Sequence, residues 1–181
     1  VPTIVMTLLF RGFIEESYSG SLLGWGFLVT ALLLTVTNSI SAKIPGKRRI
    51  DEMRPTHALL IGVAQGLAVF PGVSRSGSTI SGGLFCSLER SFAAEFAFMM
   101  SIPAILGATV LQGVDVVKAG IGNVEWLPII VGMVVAFFSG LLAINWMLKI
   151  VKKGKLGWFA LYTGIIGVLV LIDRYFTHFF F

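Results

Sequence analysis

The chain has 181 residues, of which 56% are hydrophobic and 13% charged, and its mean hydropathy is +0.90. These values exclude an ordinary soluble domain and predict an all-α, polytopic membrane protein with a single membrane domain. The net charge of +5 lies in short loops between apolar runs, which favours contact with the bilayer and its anionic headgroups and not with nucleic acid. The single cysteine, Cys86, excludes a disulfide framework.

The apolar runs divide the chain into six segments. The first, residues 3–13, is typical of the end of a helix that begins before Val1, and the polar residues from Glu15 to Ser21 predict a solvated loop. A helix needs roughly 20 residues to cross a bilayer. Four segments reach that length: 22–42, 91–112, 126–148 and 157–177.

The remaining segment, residues 55–88, consists of two apolar runs that are each too short to cross a bilayer. These runs predict a re-entrant helix-loop-helix hairpin that returns to the side it entered. Non-helical backbone at membrane depth is tolerated only where it is buried in protein or lines a wet cavity. The residues from Pro71 to Ser76 are therefore expected to form the floor of a site. Gly62 and Gly66 on the first arm predict close packing against another helix.

The residue types at this floor favour an anion. Ser74 and Ser76 are good N-cap residues for the second arm, whose first turn would offer unpaired backbone N–H groups and the positive end of the helix dipole. Arg75 adds a permanently charged guanidinium that can bind a phosphate through two hydrogen bonds. We interpret the stretch as a phosphate site. The predicted catalytic residues are Arg75, Ser74 and Thr79, and the predicted phosphate-binding residues are Gly72, Ser76, Gly77 and Gln65.

A structural interpretation of the same stretch stays open. In it, the serines and glycines only let helices pack closely, and Arg75 pairs with Glu89 or Glu95. Glu95 is the one carboxylate expected within the spans, and it either forms this ion pair or lies at the headgroup boundary. Gln65 either bonds across the hairpin or reaches the site. An arginine inside a membrane is a functional-site hypothesis by default, which favours the phosphate interpretation.

The residues from Gly62 to Gly83, followed by those from Ala93 to Pro103, resemble the second signature region of the bacterial undecaprenyl-diphosphatases. These are the bacitracin-resistance membrane phosphatases, and the core P-G-x-S-R-S-G-x-T carries the resemblance. It implies the second half of an inverted-topology repeat in the bacterial inner (plasma) membrane. It also implies hydrolysis of undecaprenyl diphosphate, a polyprenyl diphosphate lipid, to undecaprenyl phosphate, which recycles the lipid carrier of peptidoglycan synthesis.

The resemblance further implies a divalent cation, Mg or Ca, whose ligands belong to an N-terminal repeat, with no metal ligand in this chain. A homodimer is compatible with it. The family's first half carries an E-x-x-x-E motif and a Ser-rich turn ending in Gly-His, and neither occurs here. The chain thus resembles the C-terminal two thirds of a family member.

This comparison leads to an expectation about activity. Cleavage needs a positioned acid, base or metal, and beside Arg75 and the hydroxyls the spans offer only Glu95. The hairpin's glycine-rich faces should also lack their cover without the inverted partner. We therefore expect no diphosphatase activity from residues 1–181 alone and recovery with a family-type N-terminal repeat. Two alternatives remain: a polyprenyl-phosphate transporter, because discontinuous helices also hold transporter substrates, and an inactive half-repeat scaffold.

The basic residues predict the orientation of the chain. The loops 43–54 and 149–155 hold nine of the 14 lysines and arginines, whereas the loop 113–125 holds one. The positive-inside rule makes both basic loops cytoplasmic. The hairpin then enters from the cytoplasm, and Phe181 lies outside.

Overall fold

The computed structural model describes residues 2–17, 20, 22–44, 46–119 and 126–177, and within these ranges it contains helices and no strand. The helices in chain order are α1 (Pro2–Leu9), α2 (Arg11–Ser17), α3 (Leu23–Lys43), α4 (Pro55–Leu67), α5 (Arg75–Phe85), α6 (Arg90–Ala119), α7 (Trp126–Lys152) and α8 (Leu156–Ile172). Four of them, α3, α6, α7 and α8, are long and apolar enough to cross a membrane. The prediction of an all-α, polytopic membrane bundle is confirmed.

The start of the chain differs from its prediction. Residues 15–17 belong to α2, where the sequence predicted a loop. Tertiary contacts explain the difference: Ile14 and Ser17 are buried on one face of α2, and the ring of Phe13 packs edge-on against Phe70, with 5.8 Å between the ring centroids. Such contacts routinely outweigh local propensity. Residues 18, 19 and 21 of the predicted loop lie outside the described residues.

Helices α4 and α5 form an antiparallel hairpin with arms of 13 and 11 residues, joined by a turn at 68–74. The arms touch where α5 has no side chain, since a Cβ added to Gly82 would lie 2.9 Å from the Cβ of Ala64. On the side facing α6, a Cβ added to Gly83 would lie 3.1 Å from that of Ala93. Two short helices in contact with α3 and α6 thus replace one continuous span.

The chain itself covers the glycines of the first arm, contrary to our expectation that the cover would be missing. A Cβ added to Gly62 would lie 3.0 Å from Pro2 Cγ, and one added to Gly66 would lie 2.6 Å from Met6 Sδ. The close helix neighbour predicted from these glycines is therefore α1. The sequence did not indicate this because α1 is too short to be recognised as a packing partner.

The base of the hairpin lies beside both basic loops. The main chain of Arg48 pairs with the residues that follow α5, accepting from Glu89 N at 2.9 Å and donating to Ser87 O at 3.1 Å. Three side-chain contacts join the same regions: Arg49 Nε to Glu89 Oε2 at 2.8 Å, Arg90 Nη2 to Ser41 O at 2.9 Å, and Lys152 Nζ to Glu95 Oε1 at 3.7 Å. The loops 43–54 and 149–155 therefore lie at one end of the bundle, called the basic end below.

Candidate functional site

The turn of the hairpin rests directly on α3. Gly72 has φ +83°, a left-handed conformation that favours glycine. A Cβ on Gly72 would collide with the carbonyl oxygen of Leu23, and a Cβ on Gly26 would collide with that of Pro71. Gly72 thus has a structural role in bringing the turn against α3, and its predicted part in phosphate binding stays a prediction.

Thr30 of α3 fixes the backbone of this turn. Its side chain is only 1% exposed, and its Oγ1 accepts a hydrogen bond from Ser74 N at 2.9 Å. The single hydrogen of this hydroxyl faces two carbonyl oxygens, Gly26 O at 3.0 Å and Gly72 O at 3.1 Å, and is shared between them. One buried hydroxyl therefore holds the residue that precedes α5 and the glycine of the turn.

Thr30 was not among the site residues predicted from the sequence, although the sequence contains a signal for it. The buried residues along this face of α3 include Gly26, Thr30, Leu34, Thr37 and Ser41, spaced three or four apart. This period marks one face of a helix, and small or hydroxylated residues there indicate a close helix contact in a membrane. The contact partner could not be read from that stripe.

Ser74 caps the second arm as predicted from the sequence. Its Oγ accepts a hydrogen bond from Gly77 N at 3.1 Å, and its carbonyl accepts from Ser78 N at 2.9 Å. The cap uses Ser74 Oγ as an acceptor, so its O–H remains able to donate. The backbone N–H groups of Arg75 and Ser76 have no acceptor among the described residues, and neither does the Ser76 hydroxyl. The start of α5 thus presents several donors without an acceptor, while the N–H of Gly77 is occupied by the cap.

The Arg75 side chain is exposed and has no ion-pair partner in the described part of the chain. The carboxylates proposed as its partners are engaged at the basic end. Glu89 pairs with Arg49 at 2.8 Å, and Glu95 pairs with Lys152 at 3.7 Å. The structure therefore shows neither ion pair of the structural interpretation, and the guanidinium is available to an external anion.

Thr79 lies on α5 one turn after Arg75, and its side chain is 1% exposed. Its hydroxyl donates to Arg75 O at 2.8 Å. A threonine hydroxyl has one hydrogen to donate, so donation to a phosphate would require this bond to break. The geometry favours a positioning role for Thr79 in the first turn of α5, and its catalytic role stays a prediction.

Gln65 lies at the interface of α4 with α1 and is 4% exposed. Its Nε2 donates to Thr3 Oγ1 at 3.4 Å, whereas its buried Oε1 has no hydrogen-bond partner among the described residues. The polar contact that it makes is therefore to α1 and not to the first turn of α5. Its predicted part in phosphate binding is untested.

The turn lies far from the basic end. At 1.5 Å per residue, Thr30 is about 20 Å along α3 from Lys43 and about 10 Å from Leu23. Because Thr30 bonds Ser74 N, the start of α5 lies at the same depth. The candidate site is thus closer to the end of α3 that is opposite the basic loops.

The described residues do not fit a divalent cation. Within the ranges that the structure covers, no group of three or more His, Cys, Asp or Glu side chains could hold a metal ion. Around the turn they offer hydroxyls, amides and an arginine, whereas magnesium and calcium prefer several oxygen ligands that include carboxylates. The side chains of Glu15 and Glu16 lie outside the described residues. The cation therefore stays a prediction, and no chemical step is derived from it.

Comparison with known proteins gives consistent matches. The family described as Bacitracin resistance protein BacA matches residues 1–169. An undecaprenyl-diphosphatase of Carboxydothermus hydrogenoformans is 43% identical over 175 residues, which cover 95% of this chain and 66% of the relative. One of Alkaliphilus metalliredigens is 39% identical over 173 residues, covering 95% and 62%. One of Methanothermobacter thermautotrophicus is 40% identical over 172 residues, covering 94% of each chain.

The chain thus spans about two thirds of the first two relatives and nearly all of the third. The family match contains the whole hairpin, with the turn, Arg75 and the α3 residues that hold them. The resemblance predicted from the P-G-x-S-R-S-G-x-T core is confirmed. The chain belongs to the bacitracin resistance protein BacA family.

Proposed function

We propose that this chain carries the phosphate-binding hairpin of an undecaprenyl-diphosphate phosphatase, which hydrolyses undecaprenyl diphosphate to undecaprenyl phosphate. The observation that carries the proposal is the exposed, unpaired Arg75 at the first residue of a helix whose first two amides have no acceptor. A cation at a helix N-terminus cannot be explained by the helix dipole, which favours anions there. An anionic ligand between Arg75 and the backbone N–H groups of the first turn would pair with the guanidinium and accept hydrogen bonds from those N–H groups.

The donors around Arg75 suit a phosphate group. The guanidinium would bind two of its oxygens, and the N–H groups of Arg75 and Ser76 and the hydroxyls of Ser74 and Ser76 would donate to the others. Hydrolysis breaks the bond between the bridging oxygen and the terminal phosphorus, and negative charge develops on that oxygen. Donors that are already fixed in place stabilise such charge without reorganising. Thr30 and Thr79 would contribute by holding the backbone that presents these donors.

The depth of the turn supports a location for the substrate. With the basic end in the cytoplasm, as the positive-inside rule requires, the start of α5 lies nearer the outer surface of a bacterial plasma membrane. The lipid diphosphate would then enter from the outer leaflet. A divalent cation would need ligands outside the described residues. We also propose that the protein forms a homodimer.

Phosphate release from detergent-solubilised protein tests the proposal. We would compare residues 1–181 with the same chain joined to the N-terminal region of the Carboxydothermus hydrogenoformans relative. We expect release from undecaprenyl diphosphate by the joined protein, and loss of most of it in Arg75→Lys, because lysine keeps the charge but lacks the planar fork. Arg49→Lys, which changes an exposed ion pair at the basic end, is the matched control.

The outcomes separate the alternatives. A pure transporter would release no phosphate in either form, since detergent removes the membrane across which it acts. A scaffold would neither bind nor cleave the lipid. Wild-type turnover in Arg75→Lys would contradict the proposed role of Arg75.

A further inference from the structure

A groove separate from the hairpin turn runs between α3 and α8. It encloses about 630 Å³ and is lined by Leu28, Thr35 and Ser39 of α3 and by Leu161, Ile165 and Val168 of α8. The groove exists because α8 has small residues along its floor, among them Gly157 and Gly164. Most of its wall is apolar, so it suits a hydrocarbon chain.

A smaller open cavity at the basic end has a volume of about 390 Å³ and shares three lining residues with the groove, Asn38, Gly157 and Leu161. Lys155 and Trp158 line only the smaller one. An apolar channel thus ends beside a lysine and a tryptophan, the residue types that mark the membrane–water interface.

Asn38 lies at the junction of the two spaces. Its buried Oδ1 has no hydrogen-bond partner in the described part of the chain. The Nδ2 group of the same amide is not buried and has no acceptor among the described residues. A polar group left unpaired in a membrane costs free energy, so Nδ2 is suited to donate to a bound molecule. At 1.5 Å per residue, Asn38 is about 8 Å along α3 from Lys43.

We propose that this groove binds an anionic glycerophospholipid from the leaflet at the basic end. Lys155, which has no ion-pair partner among the described residues, would bind the phosphate. The Asn38 Nδ2 can donate to an ester carbonyl. One acyl chain would lie along the groove towards Val168. The distance from Lys155 to Val168 along α8 is about 20 Å, which reaches from the headgroups through one leaflet of a core about 30 Å thick.

Charge complementarity favours a phospholipid over a second copy of the chain. A second copy would have to supply an acidic group to Lys155 and a polar group to Asn38 from one apolar helix face. Acidic groups are scarce in the described spans: α7 has no acidic residue, and the carboxylate of α6 nearest the basic end, Glu95, already pairs with Lys152. A phospholipid has a phosphate, esters and a chain in the required order.

Native mass spectrometry of the purified 181-residue chain tests this site. We would measure the apparent Kd for phosphatidylglycerol and for phosphatidylcholine with the same acyl chains. Wild type should prefer phosphatidylglycerol, and Lys155→Gln should weaken its binding about fivefold, as expected for one lysine near an anionic headgroup. Asn38→Leu should also weaken it, and Gly164→Leu should abolish it by filling the groove.

Two controls make the outcome specific. Lys153→Gln removes a charge from the same loop at a residue that does not line the cavity. Gly132→Leu adds the same bulk on α7, where nothing lies within 4 Å. Both should bind phosphatidylglycerol as wild type does. If Gly164→Leu does not fold, the exposed Lys155→Gln decides the question alone.

Three results would overturn the proposal. Equal phosphatidylglycerol affinity in wild type, Lys155→Gln and Asn38→Leu would show that the lipid does not bind at these residues. An equal loss in Lys153→Gln would show that charge without a site explains the binding. A chain that is dimeric in wild type but monomeric in Gly164→Leu would show that a second copy occupies the groove.

Discussion

Thr30→Val tests whether the hydroxyl of Thr30 holds the turn of the hairpin in the conformation that binds phosphate. Valine has nearly the shape of threonine but lacks the hydroxyl, so it removes the bonds to Ser74 N and Gly72 O while keeping the volume. Thr30 is uncharged and is not itself a predicted phosphate ligand. Its effect on substrate would come through the turn.

The size of the effect follows from the two bonds. A typical hydrogen bond contributes a net stabilisation of about 1 kcal/mol, and a buried donor left without an acceptor costs about 1–3 kcal/mol. If about 2 kcal/mol of this total is needed to hold the turn in its binding conformation, the affinity for a diphosphate falls by about 30-fold. Thr30→Ser keeps the hydroxyl and should lose much less.

The assay is equilibrium binding of farnesyl diphosphate, a short polyprenyl diphosphate, to the detergent-solubilised chain. Circular dichroism of the same samples shows whether the helices persist. Wild-type affinity in Thr30→Val, with helices intact, would refute the reasoning, because the turn would then keep its shape without the α3 hydroxyl. Equal losses in Thr30→Val and Thr30→Ser would refute it too, since the hydroxyl would not be the cause.

Three further predictions concern the turn and the orientation. Thr79→Val should weaken farnesyl diphosphate binding by about tenfold through loss of the bond to Arg75 O, and Thr79→Ser should restore it; normal binding by Thr79→Val would contradict this positioning role. Gly72→Ala should lower the free energy of unfolding by about 1–2 kcal/mol from the positive φ of Gly72 alone. Gly12→Ala should not lower it, because nothing lies within 4 Å of a Cβ at Gly12. Equal Tm values for the two variants would contradict the packing of the turn on α3. Lys153→Cys should react with an impermeant thiol reagent only after cells are permeabilised, and labelling in intact cells would place the basic end outside.

The hairpin could be predicted from the sequence because its signals are local. Two apolar runs that are too short to span, separated by Pro71-Gly72 and followed by the cap at Ser74, indicate both the break and the start of the second arm. Arg75 could be singled out for the same reason, since an arginine between apolar runs needs an explanation wherever the chain folds.

What the sequence could not provide was the partner of each surface. The glycines at 62 and 66 require a close neighbour, but only the fold shows that Pro2 and Met6 supply it. From the sequence, Glu95 could either pair with Arg75 or lie at the headgroup boundary. Its ion pair with Lys152 depends on how α6 and α7 meet at the basic end. Thr30 forms hydrogen bonds to residues 42 and 44 positions further along the chain, and no local sequence pattern indicates contacts between residues so far apart.

The glycine-rich faces of the hairpin are covered, so one reason for expecting residues 1–181 to be inactive no longer holds. Exposure of polar loop backbone no longer supports that expectation, because α1, α3 and α6 pack around the hairpin. What still supports it is the lack of a carboxylate cluster among the described residues. We therefore expect residues 1–181 to bind a lipid diphosphate even where they do not cleave it.

Binding of the diphosphate by Arg75 at the start of α5 is tested by the Kd of farnesyl diphosphate for wild type, Arg75→Lys and Arg75→Gln. Hydrogen bonds to charged groups contribute about 1.5–3 kcal/mol, so Arg75→Lys should bind at least about tenfold more weakly, and Arg75→Gln more weakly still. Arg49→Lys should bind as wild type does. Equal Kd values for wild type and Arg75→Gln would contradict the claim and place the diphosphate elsewhere in the protein.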